Sequence, residues 1–115
     1  MNIELFRNHC LSKKGVIECT PFDHVTLVFK VMGKMFALTN IDTFESINLK
    51  CDPEIAIELR EKYDGLVLPA YHMNKKHWNT IKMGEGIATS IIISWVDTSY
   101  DLVVAKLPKK IRNEM

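Results

Sequence analysis

Two apolar runs meet at a single glycine in TLVFKVMGKMFALT, residues 26–39. Both runs are rich in β-branched, aromatic and other apolar residues, a composition that favours strands. Met32-Gly33-Lys34 supplies the turn, because Gly33 is free to take the positive φ that a tight hairpin needs. The stretch therefore predicts an antiparallel hairpin with strands at about 26–32 and 34–39.

The residues on both sides of this hairpin predict further regular structure. On the N-terminal side, residues 2–13 predict a helix that Asn2 can cap. On the C-terminal side, SINLK at residues 46–50 alternates apolar and polar side chains, which is typical of a strand with one buried face. A second helix follows, with Asp52 as its N-cap and Pro53 in its first turn. Its core-facing side chains are expected to be Ile55, Ala56, Leu59 and Tyr63.

The rest of the chain predicts one more strand and a long final helix. A polar and aromatic loop follows Pro69, the strand covers residues 77–83, and the helix covers about 88–106. The predicted order α-β-β-β-α-β-α has no regular βαβ alternation, which favours an antiparallel sheet covered by helices on one side. The predicted fold is therefore α+β, with an N-terminal helix, a middle helix and a long C-terminal helix flanking the sheet, in one domain over residues 1–115.

The composition is that of an ordinary globular domain. Of the 115 residues, 47% are hydrophobic and 25% are charged, so disorder is not indicated. Polar and charged residues interrupt the first segment, and no apolar run approaches the length of a membrane helix. We therefore expect a cytoplasmic protein with no membrane partner. The three cysteines are odd in number and widely spaced, which predicts reduced thiols rather than a disulfide framework or a zinc site.

The sequence contains no recognisable catalytic centre. Its glycines are isolated, so no phosphate-binding loop is predicted, and neither a GxSxG nor an HExxH motif occurs. His72 and His77 lie five residues apart in a polar segment, without a third metal ligand or a carboxylate partner nearby in sequence. We therefore predict no enzyme activity, no cofactor and no bound metal. An acid–base role for these two histidines stays as the third alternative.

Positive charge concentrates in the second part of the chain. The net charge is +1, but residues 66–115 carry seven Lys/Arg against four Asp/Glu, and no acidic residue occurs between Leu66 and Gly84. In the segment 71–78, lysines can neutralise phosphates, an amide can hydrogen-bond to phosphate or base edges, and a tyrosine can stack on a base. A pI near 7.7 is low for a dedicated nucleic-acid-binding domain. The candidate nucleic-acid-binding residues are Lys50, Tyr71, His72, Asn74, Lys75, Lys76, Lys106, Lys109 and Lys110.

Five blocks of the sequence are long and unusual in composition: FKVMGKMFA at 29–37, INLKCDPE at 47–54, LREKY at 59–63, YHMNKKHWNT at 71–80 and SYDLVVAKLPKK at 99–110. Together they resemble the MmcQ/YjbR family of small bacterial proteins. The resemblance implies a YjbR-like or CyaY-like α+β fold with an antiparallel sheet, and a DNA-binding role that rests on a double-wing type of fold. Ser90, Ile93 and Ser94 stand where charged residues are expected in the final helix, which makes this helix more apolar.

These observations support two leading functions. The first is a sequence-tolerant DNA-binding module that contacts phosphates through the loop lysines and the C-terminal lysines. It requires the two basic clusters to lie on one face. The second is a protein-interaction or chaperone-like adaptor, with a protein partner or a second copy of the chain on the sheet or on the apolar last helix. It requires a contiguous exposed apolar patch.

Overall fold

The computed structural model describes residues 1–115 and contains one antiparallel sheet of six strands, in the order β1-β2-β3-β4-β6-β5, and four helices. This confirms the predicted α+β class. None of the helices combines the length and the apolar character required to cross a bilayer. The elements are α1 Ile3–Leu11, β1 Val16–Cys19, β2 Thr26–Val31, β3 Lys34–Asn40, β4 Ser46–Lys50, α2 Pro53–Lys62, β5 Val67–Pro69, β6 Trp78–Lys82, α3 Thr89–Ala105 and α4 Lys109–Asn113.

Strands β2 and β3 form the predicted hairpin. Met32 and Gly33 have φ values of 48° and 83°, and two consecutive positive values are the signature of a two-residue type I′ turn. The register then shifts once along the pair, because Phe36 is an extra residue in β3. As a result, Phe36 and Ala37 both belong to the hydrophobic core.

Cross-strand pairing places alternate rows of side chains on opposite faces of the sheet. One row faces the helices and consists of Leu27, Thr39, Ile47, Ile81 and Val67. Its four apolar members belong to the main core, and Thr39 is a buried polar residue. The next row points to the other side and contributes nothing to that core: Val28, Leu38, Asn48, Thr80 and Leu68. We call this second side the open face, because no helix packs on it.

The long helix α3 is attached to the sheet by polar as well as apolar contacts. Ile92 and Val103 are buried in the core. Between them, the fully buried Ser99 donates its hydroxyl to the carbonyl oxygen of Phe36 and accepts from the backbone N–H of Lys50, at 2.5 and 2.9 Å. Pairing between β3 and β4 has already ended at this point. Ser99 therefore satisfies two backbone groups that the sheet leaves without a strand partner.

Helix α1 is fixed to α3 by an ionic cluster. Asp97 Oδ1 lies 2.6 Å from His9 Nε2 and 2.7 Å from Lys13 Nζ. Burial acts to raise the pKa of the Asp97 carboxyl, but hydrogen bonds from Lys13 and His9 outweigh it, so the pKa lies below its ordinary value. The ionised carboxylate thus connects the two helices across the edge of the core.

The structure differs from the sequence-based prediction in three short elements and one helix face. The sequence does not predict β1, β5 or α4, which contain four, three and five residues. β1 and β5 are the edge strands of the sheet, and such short strands depend on pairing with a neighbour. In α2 only Ala56 is buried, and Ile55 is 44% exposed. The prediction that Ile55 faces the core is therefore wrong, because Ala56 takes the position nearest the sheet.

Candidate nucleic-acid interface

Two loops rise beside the open face and flank a half-open cavity of about 760 Å³. One loop joins β1 to β2 (residues 20–25), and the other joins β5 to β6 (residues 70–77). The sheet supplies the floor between the two loops. We call this space the open-face cavity; it is lined by Phe22, Asp23, Thr26, Met35, Leu38, Asn48, His72, Met73, Asn74 and Trp78.

The floor of the open-face cavity is mostly apolar, with one polar group held in a fixed direction. Leu38 and Trp78 are almost completely buried. Between them, Asn48 Oδ1 accepts a hydrogen bond of 2.5 Å from the hydroxyl of Thr80. This bond orients the amide, so Asn48 can offer a ligand its N–H groups and the second lone pair of its oxygen. Such a floor suits a flat ring that carries acceptors at its edge.

The β1–β2 loop contributes one exposed aromatic ring and one carboxylate. The side chain of Asp23 accepts hydrogen bonds from the backbone N–H groups of Val25 and Thr26 and from the Thr26 hydroxyl. These bonds hold the pKa of the Asp23 carboxyl below its usual range, so the carboxylate is ionised and fixes the loop. Phe22, next to it, is 64% exposed at the cavity wall. Sequence reasoning missed Phe22; an aromatic residue directly after Pro21 in a polar loop was the available signal.

The β5–β6 loop is shaped by its own amide group and by α2. Asn74 Oδ1 accepts from the backbone N–H of Lys76 at 3.0 Å, and Arg60 Nη2 donates to the carbonyl oxygen of Lys75 at 3.0 Å. Tyr71 extends into solvent with 72% exposure, and the Lys75 ammonium lies 5.1 Å from the centre of its ring. The loop therefore presents an accessible aromatic face with a cation beside it.

A second, smaller cavity of about 270 Å³ adjoins the first and shares Met35 and Trp78 with it. Lys34, Lys50 and Lys106 all line this space, which we call the lysine cavity. Burial lowers the pKa of the Lys50 ammonium, and the nearby charge of Lys106 lowers it further. Three cations thus share one concave surface without an acidic residue among its lining residues.

The structure brings together some of the predicted site residues and separates others. His72 and Asn74 line the open-face cavity, and Lys50 and Lys106 line the lysine cavity. Lys75, Lys76 and Tyr71 are exposed on the β5–β6 loop. The remaining two candidates, Lys109 and Lys110, are exposed on α4 and line neither cavity. Trp78 is buried and forms the boundary between the two cavities.

The two candidate histidines lie in different surroundings. His72 lines the open-face cavity, whereas His77 does not. The histidine that lies within ion-pairing distance of a carboxylate is His9, on the helix side. No group of three or more potential metal-ligating side chains occurs in the structure.

The fold and these cavities define a class of small α+β domain in which helices cover one sheet face and two loops wall the other. Residues 11–102 match the family model described as YjbR. The chain therefore belongs to the YjbR family, which confirms the family resemblance seen in its sequence.

Relatives and solved structures agree with this assignment. The chain is 38% identical over 93 residues to the uncharacterized protein YbdF of Escherichia coli O157:H7, covering 80% of this chain and 75% of YbdF. It is 31% identical over 113 residues to the uncharacterized protein YjbR of Escherichia coli K12, covering 97% and 95% of the two chains. The crystal structure of Deinococcus radiodurans protein DR2400 superposes with a TM-score of 0.91 at 36% identity, covering 98% of this chain and 86% of that one.

Proposed function

We propose that this chain is a non-enzymatic DNA-binding module that holds an extended single strand across its open face. The observation that supports this function is the meeting of the two candidate regions. Asn74 and His72 line one cavity, Lys50 and Lys106 line the next, and Trp78 lies between them. These residues come from distant parts of the chain and line adjoining cavities, which supports a shared binding surface; of the two basic clusters, Lys106 is the member that lines a cavity.

The charges of the two cavities suggest which part of a DNA strand each cavity would bind. The open-face cavity contains the ionised Asp23 and a largely apolar floor, so it disfavours phosphate and suits a nucleobase. The lysine cavity has three cations and no carboxylate among its lining residues, so it suits phosphate oxygens. A base in one cavity and its neighbouring phosphate in the other would match the alternation of a nucleotide chain.

The aromatic groups favour a single strand over a duplex. Phe22 and Tyr71 stand exposed on the two opposite loops. Stacking on such rings requires bases whose faces are free, as in single-stranded DNA, and it tolerates any sequence. In a duplex the base faces are covered by stacking, so a duplex would interact with the lysines alone.

The test is a fluorescence anisotropy titration with a labelled oligothymidine strand and a matched duplex at several salt concentrations. The Lys34→Glu/Lys106→Glu variant reverses two exposed charges of the lysine cavity. Lys14→Glu/Lys62→Glu is the control, because it changes the net charge equally at two exposed positions that line neither cavity. Each phosphate contact to a single strand contributes about −0.7 to the slope of log affinity against log salt, so losing two contacts should flatten the slope by about 1.4.

Two results would refute the proposal. One is the absence of binding to either DNA at low salt. The other is equal weakening by the two charge-reversal pairs, which would mean that net charge alone attracts the strand. A Lys75→Glu/Lys76→Glu variant tests the loop separately, and we expect weaker binding there if the strand passes Tyr71.

A second candidate function, protein interaction, is favoured by one observation on the same face. Ile17 of β1 and Phe22 are 59% and 64% exposed, which is unusual for large apolar side chains near each other in the chain. The apolar side of α3 is less suitable, because Ile92, Val96 and Val103 are already in the core. Sedimentation velocity over a range of concentrations tests a homodimer: a rise in mass that Phe22→Ser abolishes would favour it over the DNA function.

A further inference from the structure

Three lysines converge on the lysine cavity without a counter-ion. Lys34 begins β3, Lys50 ends β4, and Lys106 directly follows α3. None of the three forms a salt bridge. The rest of the lining is apolar and consists of Met35, Trp78, Val103 and Leu107. The cavity therefore combines uncompensated positive charge with apolar walls.

Lys50 is held more firmly than the other two lysines. It is half-buried, whereas Lys34 and Lys106 are exposed. Its backbone N–H donates to the hydroxyl of the buried Ser99 at 2.9 Å, and it pairs with Trp78 of the neighbouring strand β6. The Lys50 side chain thus starts from a fixed point of the sheet, while the two exposed lysines have more freedom to follow a ligand.

The surroundings of Lys50 favour its neutral amine. A positive charge nearby and loss of solvent both disfavour protonation of a lysine. Both conditions hold here, because burial and the charge of Lys106 lower the pKa of the Lys50 ammonium. The neutral amine is the form that attacks a carbonyl carbon, and a lysine beside another cation is a typical activated nucleophile.

We propose that Lys50 is an acylation site for small acyl phosphates, with Lys34 and Lys106 holding the phosphate group. The Lys50 amine attacks the carbonyl carbon and forms a C–N bond. The bond from that carbon to the phosphate oxygen breaks, the amine loses a proton to water, and inorganic phosphate leaves. The products are an amide on Lys50 and free phosphate, and no oxidant or reductant is required.

Each part of the lysine cavity has a role in this reaction. Ammonium groups form charge-assisted hydrogen bonds with phosphate, and they stabilise the negative charge that the leaving phosphate gains. The apolar walls suit the acyl chain. A cavity of roughly 150 Å³ holds benzene, so a volume of about 270 Å³ has room for a molecule as small as acetyl phosphate.

The reaction takes place in the lysine cavity of the DNA proposal but requires no DNA. Acylation and DNA binding are therefore measured separately, and each proposal can fail while the other holds.

The experiment incubates the full chain with acetyl phosphate and follows acetylation of each lysine by mass spectrometry. Lys30 is the comparison within the same sample, because it is also half-buried but lines neither the open-face cavity nor the lysine cavity. We expect acetylation of Lys50 to be on the order of tenfold faster than that of Lys30. Added inorganic phosphate should slow the reaction at Lys50 but not at Lys30, relative to potassium chloride at equal ionic strength.

A second reagent and two double variants separate phosphate binding from general reactivity. Acetic anhydride has no phosphate, so its preference for Lys50 over Lys30 should be several-fold smaller. Lys34→Gln/Lys106→Gln should lower the rate at Lys50 to about that at Lys30. Lys14→Gln/Lys62→Gln is the matched control, since it removes two exposed charges outside both cavities and should leave the rate at Lys50 unchanged.

Three results would overturn the proposal. They are equal acetylation rates at Lys50 and Lys30, the same preference for Lys50 with acetic anhydride as with acetyl phosphate, and equal effects of the two double variants on Lys50. All four substituted lysines are exposed, and the comparison within the parent protein needs no variant at all.

Discussion

Replacing Ser99 by alanine should destabilise the protein far more than its small change in volume suggests. Ser99 is fully buried, and its hydroxyl bridges two backbone groups on neighbouring strands, the carbonyl of Phe36 and the N–H of Lys50. Alanine has no polar group to replace the hydroxyl. The buried carbonyl of Phe36 and the part-buried N–H of Lys50 would then lack a partner.

The expected magnitude follows from those two groups. An unsatisfied buried donor or acceptor costs about 1–3 kcal/mol, and alanine returns roughly 0.5 kcal/mol through its higher helix propensity. Ser99→Ala should therefore lower the free energy of unfolding by about 2–5 kcal/mol. That is a large fraction of the stability of a typical domain, about 5–15 kcal/mol.

Urea unfolding followed by circular dichroism measures this loss. Ser94→Ala is the control: Ser94 is an exposed residue of the same helix, and its hydroxyl bonds only to the carbonyl oxygen of Ile91. We expect the control to stay within about 0.5 kcal/mol of the parent protein. For Ser99→Ala the midpoint should fall by roughly 1 M urea or more without a change in slope. Equal stability of the two variants would show that the buried bridge contributes nothing.

Three further predictions concern charge, thiol reactivity and the hairpin turn. The pKa of the Asp97 carboxyl is lower in the folded protein than its ordinary value of 3.8. Its ion pairs therefore stabilise the protein at pH values above 3.8, and this contribution is lost as the pH falls through the folded pKa. Melting temperatures of Asp97→Asn and the parent protein should differ at pH 7 and converge in acid. Burial raises the pKa of the Cys10 thiol to about 12, so Cys10 should resist alkylation at pH 8 while the half-buried Cys19 reacts. Mass spectrometry of the alkylated native protein measures both reactions, and labelling of Cys10 before Cys19 would contradict this prediction. Gly33→Ala should destabilise by about 1 kcal/mol in urea unfolding, since Gly33 has a φ of 83°, and a neutral effect would argue against the type I′ turn.

The candidate site was only partly visible in the sequence. The segment 71–78 stood out because two lysines, an amide and a tyrosine occur together without an acidic residue. Phe22 and Lys34 were not singled out, because each is a lone residue in a loop or at the start of a strand. Their role emerges only when the β1–β2 loop and the hairpin are placed beside β6.

Local chemistry alone determined most of the secondary structure. The Asn2 and Asp52 caps are used as the sequence predicts, and the positive φ of Gly33 occurs in the predicted turn. A cap or a two-residue turn depends on side chains and backbone within a few residues. For the same reason the alternation of residues 46–50 was sufficient to show which side of β4 is buried.

Only the tertiary structure decided what lies between those elements. The edge strands β1 and β5, with four and three residues, are too short to show a pattern of their own and exist through pairing with β2 and β6, the strands that follow them in the chain. The closeness of Lys50 to Lys106 and the unsatisfied oxygen of Asn79 depend on the strand order and on where α2 and α3 pack. Long-range register and helix placement arise from the packing of the whole core, and no local pattern encodes the cavities that this packing leaves.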